Sequence, residues 1–252
     1  MSMQKVIKLS LFGPIIVLAI WWIVTELNLV NPILLPRLDD TLGKFFSLLI
    51  SGKALPDLWA TVYRTILGFG IASFFGIIAG LVIGKYTGIY KIFEIVIDFF
   101  RSLPATAIFP LFLLIFGIGS AAEIAMAIFV SFWVVLLNSA YGVIYSSKIR
   151  TKVAKSLGAT DWQIFKDITI MEALPQIVVG LKTAISLSLI VVIVSEMFIG
   201  SSSGLGQKIY DSYLTYETVN LYAWLLIVGL AGYTLNKFFA FFEKRILHWV
   251  GR

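Results

Sequence analysis

The constraint that dominates this chain is a succession of apolar runs, most of them without Asp, Glu, Lys or Arg: Leu9–Thr25, Thr65–Gly84, Ile124–Ser147 and Thr218–Asn236. Two more apolar stretches carry a few charges. Ile92–Phe116 keeps them in its first half, and Val178–Ile199 is charge-free from Thr183 to Ser195. A hydrocarbon layer of roughly 30 Å needs about 20 apolar residues per helical crossing. Six such stretches in 252 residues leave little room for a separate soluble domain. The composition agrees: 13% of residues are charged, about half the share of a soluble domain, and mean hydropathy is +0.94. The expected fold class is an all-α membrane protein with six transmembrane helices.

The first run follows Lys5 and Lys8, as a signal peptide would. It is long, contains Trp21-Trp22 and lacks a small-x-small cleavage site, so we read it as an uncleaved span. With the N-terminus inside, 14 of the 20 Lys and Arg residues fall on the inner side, from Lys5 and Lys8 to Arg252, and five on the outer side: Arg37, Lys44, Lys53, Arg64 and Lys208. Arg101 lies within the third span. The positive-inside rule then places both termini in the cytoplasm. The net charge of +6 is thereby a topology signal and not a nucleic-acid footprint. Between the first two spans, Leu42, Phe45, Phe46, Leu48 and Leu49 recur at helical spacing, which predicts a short amphipathic helix on the outer surface. The expected organisation is an N-terminal helix and external segment over 1–56, then a transmembrane domain over 57–247 with a cytoplasmic loop over 148–175.

Several chemistries are argued against. With no cysteine there is no disulfide, iron–sulfur cluster or thiolate nucleophile. The single histidine, His248, stands four residues from the end of the sequence, which removes the basis for His catalysis or a His metal site. Gly200-Ser201-Ser202-Ser203-Gly204 fits the G-x-S-x-G hydrolase pattern, but it follows a transmembrane run and lacks a His partner on its side. A Gly/Ser turn is the better reading.

Other features bear on packing and transport. Gly68, Ala72, Gly76, Gly80 and Gly84 recur every fourth residue and form a small-residue stripe suited to close helix approach, within the chain, to a second copy or along a transport path. Glu94, Asp98 and Arg101 share one helix face, where Asp98 and Arg101 can pair. Pro104 and Pro110 bend the third span. Glu196 is the only acid expected deep in a span; it either serves transport or hydrogen-bonds the Gly/Ser turn. Ser131, Asn138, Ser186, Ser188 and Ser195 are candidates for a translocation path or gate, or for helix–helix hydrogen bonds. No basic residue is expected deep in the path.

The longest internal hydrophilic stretch is Lys148–Glu172. Thr151–Leu157 is helical in pattern and meets a stop at Gly158. Thr160 and Gln163 make a capping box for a second short helix, from Asp161 to about Met171, with a break near Pro175. Trp162 and Phe165 are apolar knobs on this helix–turn–helix, suited to a partner protein or to the membrane interface.

Val153-Ala154-Lys155-Ser156-Leu157-Gly158-Ala159-Thr160-Asp161-Trp162-Gln163-Ile164-Phe165, ending in Ala173-Leu174-Pro175, resembles the EAA loop of bacterial ABC importer permeases, with pattern E-A-A-x3-G-x9-I-x-L-P. Ala154, Gly158 and Ile168 match in register. Lys152, Val153, Ile170 and Met171 depart from it. Leu35-Pro36, Thr41-Leu42, Arg64, Gly68-Phe69, Arg101-Ser102-Leu103-Pro104, Pro110, Phe116-Gly117-Ile118-Gly119, Asn138, Glu196 and Ser203-Gly204-Leu205-Gly206 are similar, in order and spacing, to the nitrate/sulfonate/taurine-type subgroup.

The resemblance implies a type I ABC importer transmembrane domain in a bacterial or archaeal cell membrane. It implies two permease copies in a homodimer, cytoplasmic ATPase subunits and an external solute-binding protein. Ala154, Leu157, Gly158, Ala159, Asp161, Trp162 and Phe165 would couple to the ATPase. That partner would bind ATP and Mg; this chain, which has no P-loop, would bind no cofactor and perform no chemistry. The implied solute is a small anion such as a sulfonate, taurine or nitrate; a thiamine-precursor or riboflavin-like compound is the alternative. A stand-alone secondary transporter or channel is the competing class, but it calls for internal repeats and buried coupling groups that the sequence does not display.

Overall fold

In hydrocarbon, unpaired backbone N–H and C=O groups are so costly that an apolar chain closes its hydrogen bonds within helices. The computed structural model describes residues 3–198 and 200–249, with side chains from residue 12 onward, and every regular element among them is helical. In chain order these are α1 (Met3–Glu26), α2 (Leu38–Ile50), α3 (Leu55–Lys85), α4 (Thr87–Ser102), α5 (Ala105–Phe116), α6 (Ser120–Ile144), α7 (Lys148–Ser156), α8 (Asp161–Ile164), a π turn (Phe165–Thr169), α9 (Ile170–Phe198), α10 (Leu205–Leu214) and α11 (Thr218–Ile246). Ile199, the expected end of the fifth span, and Arg252 lie outside the described residues, as do the side chains of Lys5 and Lys8.

Among the described residues, four helices are long and apolar enough to cross a membrane: Leu55–Lys85, Ser120–Ile144, Asp161–Phe198 and Thr218–Ile246. The pair α4–α5 is a fifth if its two halves count as one span. Six are therefore not reached among the described residues, where the first expected span contributes only Phe12–Glu26. The boundary expected at 56/57 falls in the first turn of α3, and α10 is a helix that the sequence reading lacked.

The centre is a three-helix core of α3, α6 and α9. Its tightest seam is α3 on α6. Gly68, Ala72, Gly76, Gly80 and Gly84 are all buried, and the side facing them on α6 is itself a four-residue repeat: Glu123, Ala127, Ser131, Val135, Ser139 and Val143. A Cβ on Gly68 would stand 2.5 Å from the Ala127 Cβ, and one on Gly84 would stand 2.7 Å from the Val143 Cβ. On Gly80 it would stand 2.5 Å from both the Leu136 carbonyl oxygen and the Ser139 Cβ. Only an absent side chain permits that separation, and close approach is how helices gain contact where lipid is as apolar as the side chains.

Around this core, α2, α10 and α11 form a second cluster on Leu48, Leu205, Ile209, Trp224 and Ile227. α1 is tied to it by Trp21, whose Nε1 donates to the Pro36 carbonyl at 3.0 Å. The amphipathic helix expected around 42–49 is α2, which buries Leu38, Thr41 and Leu48.

Two expectations are corrected. The third span is not one bent helix: α4 and α5 meet at 94°. Pro104 supplies no N–H and holds Leu103 extended (φ −68°, ψ 123°), so α4 ends there and α5 restarts at Ala105. Second, the helix begun at Asp161 does not stop near Met171. It continues through the π turn into α9, and Pro175, expected at a break, lies inside α9. The π turn absorbs the irregularity within a continuous helix.

Gly80→Ala is expected to lower stability by roughly 1–3 kcal/mol through overpacking. Gly70→Ala, where an added Cβ meets nothing within 4 Å, is expected to be neutral or slightly stabilising. Thermal or denaturant unfolding in detergent micelles distinguishes the two.

Candidate functional site

Two constellations stand at opposite ends of the core, joined by α9. The first is the polar loop. α7 opens on Ser147, whose Oγ accepts from the Arg150 N–H at 3.3 Å, an N-cap. Glu172, on the first turn of α9, accepts from the Ser147 N–H and pairs with Arg150 Nε at 2.7 Å, which pins the start of α7 against α9. α7 ends at Gly158, where φ is +85°, a left-handed conformation that favours glycine. The Ala159 N–H returns to the Ala154 carbonyl at 3.0 Å, closing the turn. The expected capping box is present: Gln163 N–H donates to Thr160 Oγ1 at 3.3 Å, and the Thr160 N–H donates to Gln163 Oε1 at 2.8 Å. Asp161 pairs with Lys155 at 2.8 Å across the turn.

The loop presents apolar knobs, though not quite the expected ones. Leu157 is 82% exposed and Trp162 64%. Phe165 is half-buried, and the Lys85 ammonium stands 4.4 Å over its ring. Ile149 and Val153, which the sequence reading did not single out as knobs, are exposed and fall at four-residue spacing with Leu157, so α7 carries an exposed apolar stripe.

The second constellation is a buried ionic network at the other end of α3. Arg64 is 4% exposed, while Glu123 and Glu196 are fully buried. Arg64 Nε stands 2.7 Å from Glu123 Oε2 and donates to Ser120 Oγ at 3.0 Å. Arg64 Nη1 donates to Glu196 Oε1 and to the Ser203 carbonyl, both at 2.7 Å. Glu196 also accepts from Thr61 Oγ1 and from the Gly206 N–H, each at 2.9 Å. Thr61 Oγ1 in turn accepts from the Leu205 N–H, and Asp57 Oδ1 accepts from the Gly204 N–H, both at 2.9 Å. Glu123 meets Arg64 as an ionic contact alone, with no well-formed hydrogen bond to either oxygen.

This network explains the G-x-S-x-G pattern. Gly204 has φ +134°, and a Cβ there would run into the Glu196 carboxyl group. Ser203 offers its carbonyl to Arg64, so the segment is a stapled turn. Glu196 bonds the Gly206 N–H, in the first turn of α10 just beyond that segment, and its carboxyl group fills the space beside Gly204. Two features go beyond the sequence reading: Glu123, in the first turn of α6, is a second fully buried acid, and Arg64, counted among the outer charges, is buried between helices. The signal for both was available. Arg64 is one more step of the series Gly68–Gly84, and the Glu123 series faces it, so both side chains point into the seam.

The path candidates bond to other helices or to their own. Ser131 Oγ donates to the Ala184 carbonyl at 3.2 Å, and Ser188 Oγ to the Thr65 carbonyl at 3.0 Å. Asn138 Oδ1 accepts from Gln176 Nε2 at 2.8 Å, Ser186 donates to Asn236 Oδ1 at 2.9 Å, and Ser195 bonds the Val192 carbonyl. Asp98 and Arg101 form the expected i,i+3 pair at 3.1 Å, exposed on α4. Among the described residues no group of three or more His, Cys, Asp and Glu is placed to hold a metal ion.

Comparison with known proteins adds a family. The profile described as "Binding-protein-dependent transport system inner membrane component" matches residues 72–251. A Bacillus subtilis (strain 168) protein assigned as an aliphatic sulfonates transport permease, SsuC, is 27% identical over 95% of this chain and 87% of its own. The taurine transport system permease protein TauC of Escherichia coli K12 is 26% identical over 99% of this chain and 92% of its own. Among solved structures, a chain of the MetNI methionine ABC transporter in an inward-facing conformation superposes with a TM-score of 0.64. At 20% identity it covers 78% of this chain and 95% of that one, a likeness of fold.

Arg64→Ala leaves two buried carboxylates without their cation and is expected to destabilise by about 3–5 kcal/mol. Adding Glu123→Gln and Glu196→Gln to Arg64→Ala should recover a large part of the loss. Equilibrium unfolding of the single and triple variants in detergent measures both.

Proposed function

The chain belongs to the family of binding-protein-dependent transport system inner membrane components, and from that we propose that it is the permease of an ABC importer for a small sulfonate-, taurine- or nitrate-type anion. An external solute-binding protein delivers the anion. A cytoplasmic ATPase supplies the energy, and a second copy of this chain completes the translocation path. Both termini and the α7–α8 loop then lie on the cytoplasmic side. The substrate class rests on relatives named for aliphatic sulfonates, taurine and nitrate.

The observation that carries the coupling is the continuous helix from Asp161 to Phe198. Its first turn holds the capped loop, and Glu196, near its far end, sits in the Arg64 network. At 1.5 Å per residue those points are about 50 Å apart. A force applied at the loop therefore reaches the opposite end of the core along one element. Ile149, Val153, Leu157 and Trp162 form the apolar contact with the ATPase, and the Gly158 turn sets the angle at which it is presented. The Arg64 network keeps α3, α6, α9 and the start of α10 together, so that end moves as a body during a rigid rotation of the two halves. The paired acid, base and serines in this chain hold helices together; hydrolysis of ATP belongs to the partner.

Gly158→Val forces a β-branched residue into a left-handed conformation, at roughly 1–2 kcal/mol of strain, about tenfold in an equilibrium. The ATPase co-purifying with the tagged variant should fall by about that factor, and uptake of radiolabelled taurine or sulfonate with it. Full ATPase recovery and transport in the variant would refute the coupling role. The accompanying binding protein, screened by thermal shift against taurine, alkanesulfonates and nitrate, tests the substrate class separately.

A further inference from the structure

α9 packs on α3, α6, α10 and α11, and a strip of it stays open. Val179, Lys182, Thr183, Ser186 and Ile190 fall at i, i+3, i+4, i+7 and i+11, on one side of the helix. All are exposed except Ser186, which is half-buried. The middle of this strip is polar. The open side of α3 is different: from Trp59 to Val82 its exposed residues are all aromatic, aliphatic or glycine, as a surface against acyl chains requires.

The strip also carries an ion pair. Lys182 Nζ stands 2.9 Å from Glu243 Oε2 of α11, with the two side chains 47% and 26% exposed. One turn further on, Ser186 Oγ donates to Asn236 Oδ1, so the border with α11 is polar over two turns. Lys182 lies 14 residues before Glu196 and 21 after Asp161, about 21 Å and 31 Å along the helix. It therefore belongs to neither of the two constellations at the ends of the core. Ionisable side chains on a spanning helix are costly against hydrocarbon and mark the side that water or solute reaches.

On the reading of the chain as an anion importer, we propose that this strip lines the translocation path and that Lys182 receives the anionic group of the passing solute, with Glu243 as its counter-charge between passages. The oxygens of the arriving anion replace the Glu243 carboxylate on the ammonium group, and Glu243 returns as the anion leaves. A lysine without such a competitor would retain its anion, whereas passage requires a site that both fills and empties. The Thr183 hydroxyl, one residue on, donates to the Val179 carbonyl at 3.0 Å and can turn to the same anion.

The test uses the whole importer in proteoliposomes, the chain with its ATPase and binding protein, and reads ATP-driven uptake of ethanesulfonate, taurine and nitrate. Lys182→Gln should lower the maximal rate by roughly tenfold or more, the order of one charge-assisted hydrogen bond. The half-saturating concentration should not move, because the binding protein sets it. Lys182→Arg should keep the rate. Glu243→Gln breaks the same ion pair, yet should keep or raise the rate by removing the competitor. If the pair only braces α9 against α11, Lys182→Gln and Glu243→Gln will be equally slow, and that result overturns the proposal. Wild-type uptake by Lys182→Gln overturns it too. A wild-type importer that takes up none of the three solutes overturns the anion-importer reading, and the role of Lys182 falls with it.

Discussion

The architecture depends on how closely α3 can approach α6. In water a hydrophobic core would pull two apolar helices together. In lipid that drive is absent, and contact must come from backbone proximity, side-chain fit and polar bonds. The glycine series on α3 supplies the first. The facing series on α6 supplies small or β-branched partners that fill the seam without pushing it open. Ser131 and Ser188 then cross-link the same three helices through carbonyl acceptors, bonds with little competition from water at this position.

The same register that brings glycines together at one end brings charges together at the other. Arg64 and Glu123 are where the two series run out, and Glu196 enters from α9. Removing a guanidinium and carboxylates from water is costly, and it is offset only where the partners satisfy one another. Glu196 meets that condition, with acceptor bonds from Thr61, Arg64 and Gly206. The consequence is local order: a glycine- and serine-rich turn, intrinsically loose, becomes a fixed junction of α3, α6, α9 and α10. Opposite it, the α7–α8 turn is fixed by short-range devices, a cap, a left-handed glycine and a capping box, and leaves its apolar stripe uncovered. One end of α9 is thus held by cohesion within the chain, and the other begins at a loop whose apolar stripe is exposed.

How much of this the sequence displayed depended on whether the deciding interaction was local. The Thr160–Gln163 capping box, the Gly158 stop and the Asp98–Arg101 pair are contacts within one turn or two, and each was legible as spacing. The break at Pro104 was legible as a bend but not as a 94° corner, because the angle is set by packing of α4 and α5 on α6. The continuation through Pro175 was misread because a proline usually marks a boundary, and the π turn that accommodates the chain just before it has no simple sequence signature. Phe165 looked like an exposed knob because nothing in the chain order announces that Lys85, eighty residues earlier, lies across its ring.

The sequence by itself determined that the chain is helical and apolar, where its long apolar stretches fall, which face of α3 is small, and through the order of its motifs which family it joins. Those properties follow from composition and period, which each segment carries alone. Only the tertiary structure decided that Arg64, Glu123 and Glu196 meet, that Gly204 must lack a side chain to make room for a carboxylate, and that Lys182 pairs with Glu243. The Arg64–Glu196 contact joins segments 132 residues apart, and although the four-residue series points Arg64 and Glu123 into one seam, no period along the chain fixes that Glu196 meets them there or that its carboxyl group fills the space beside Gly204.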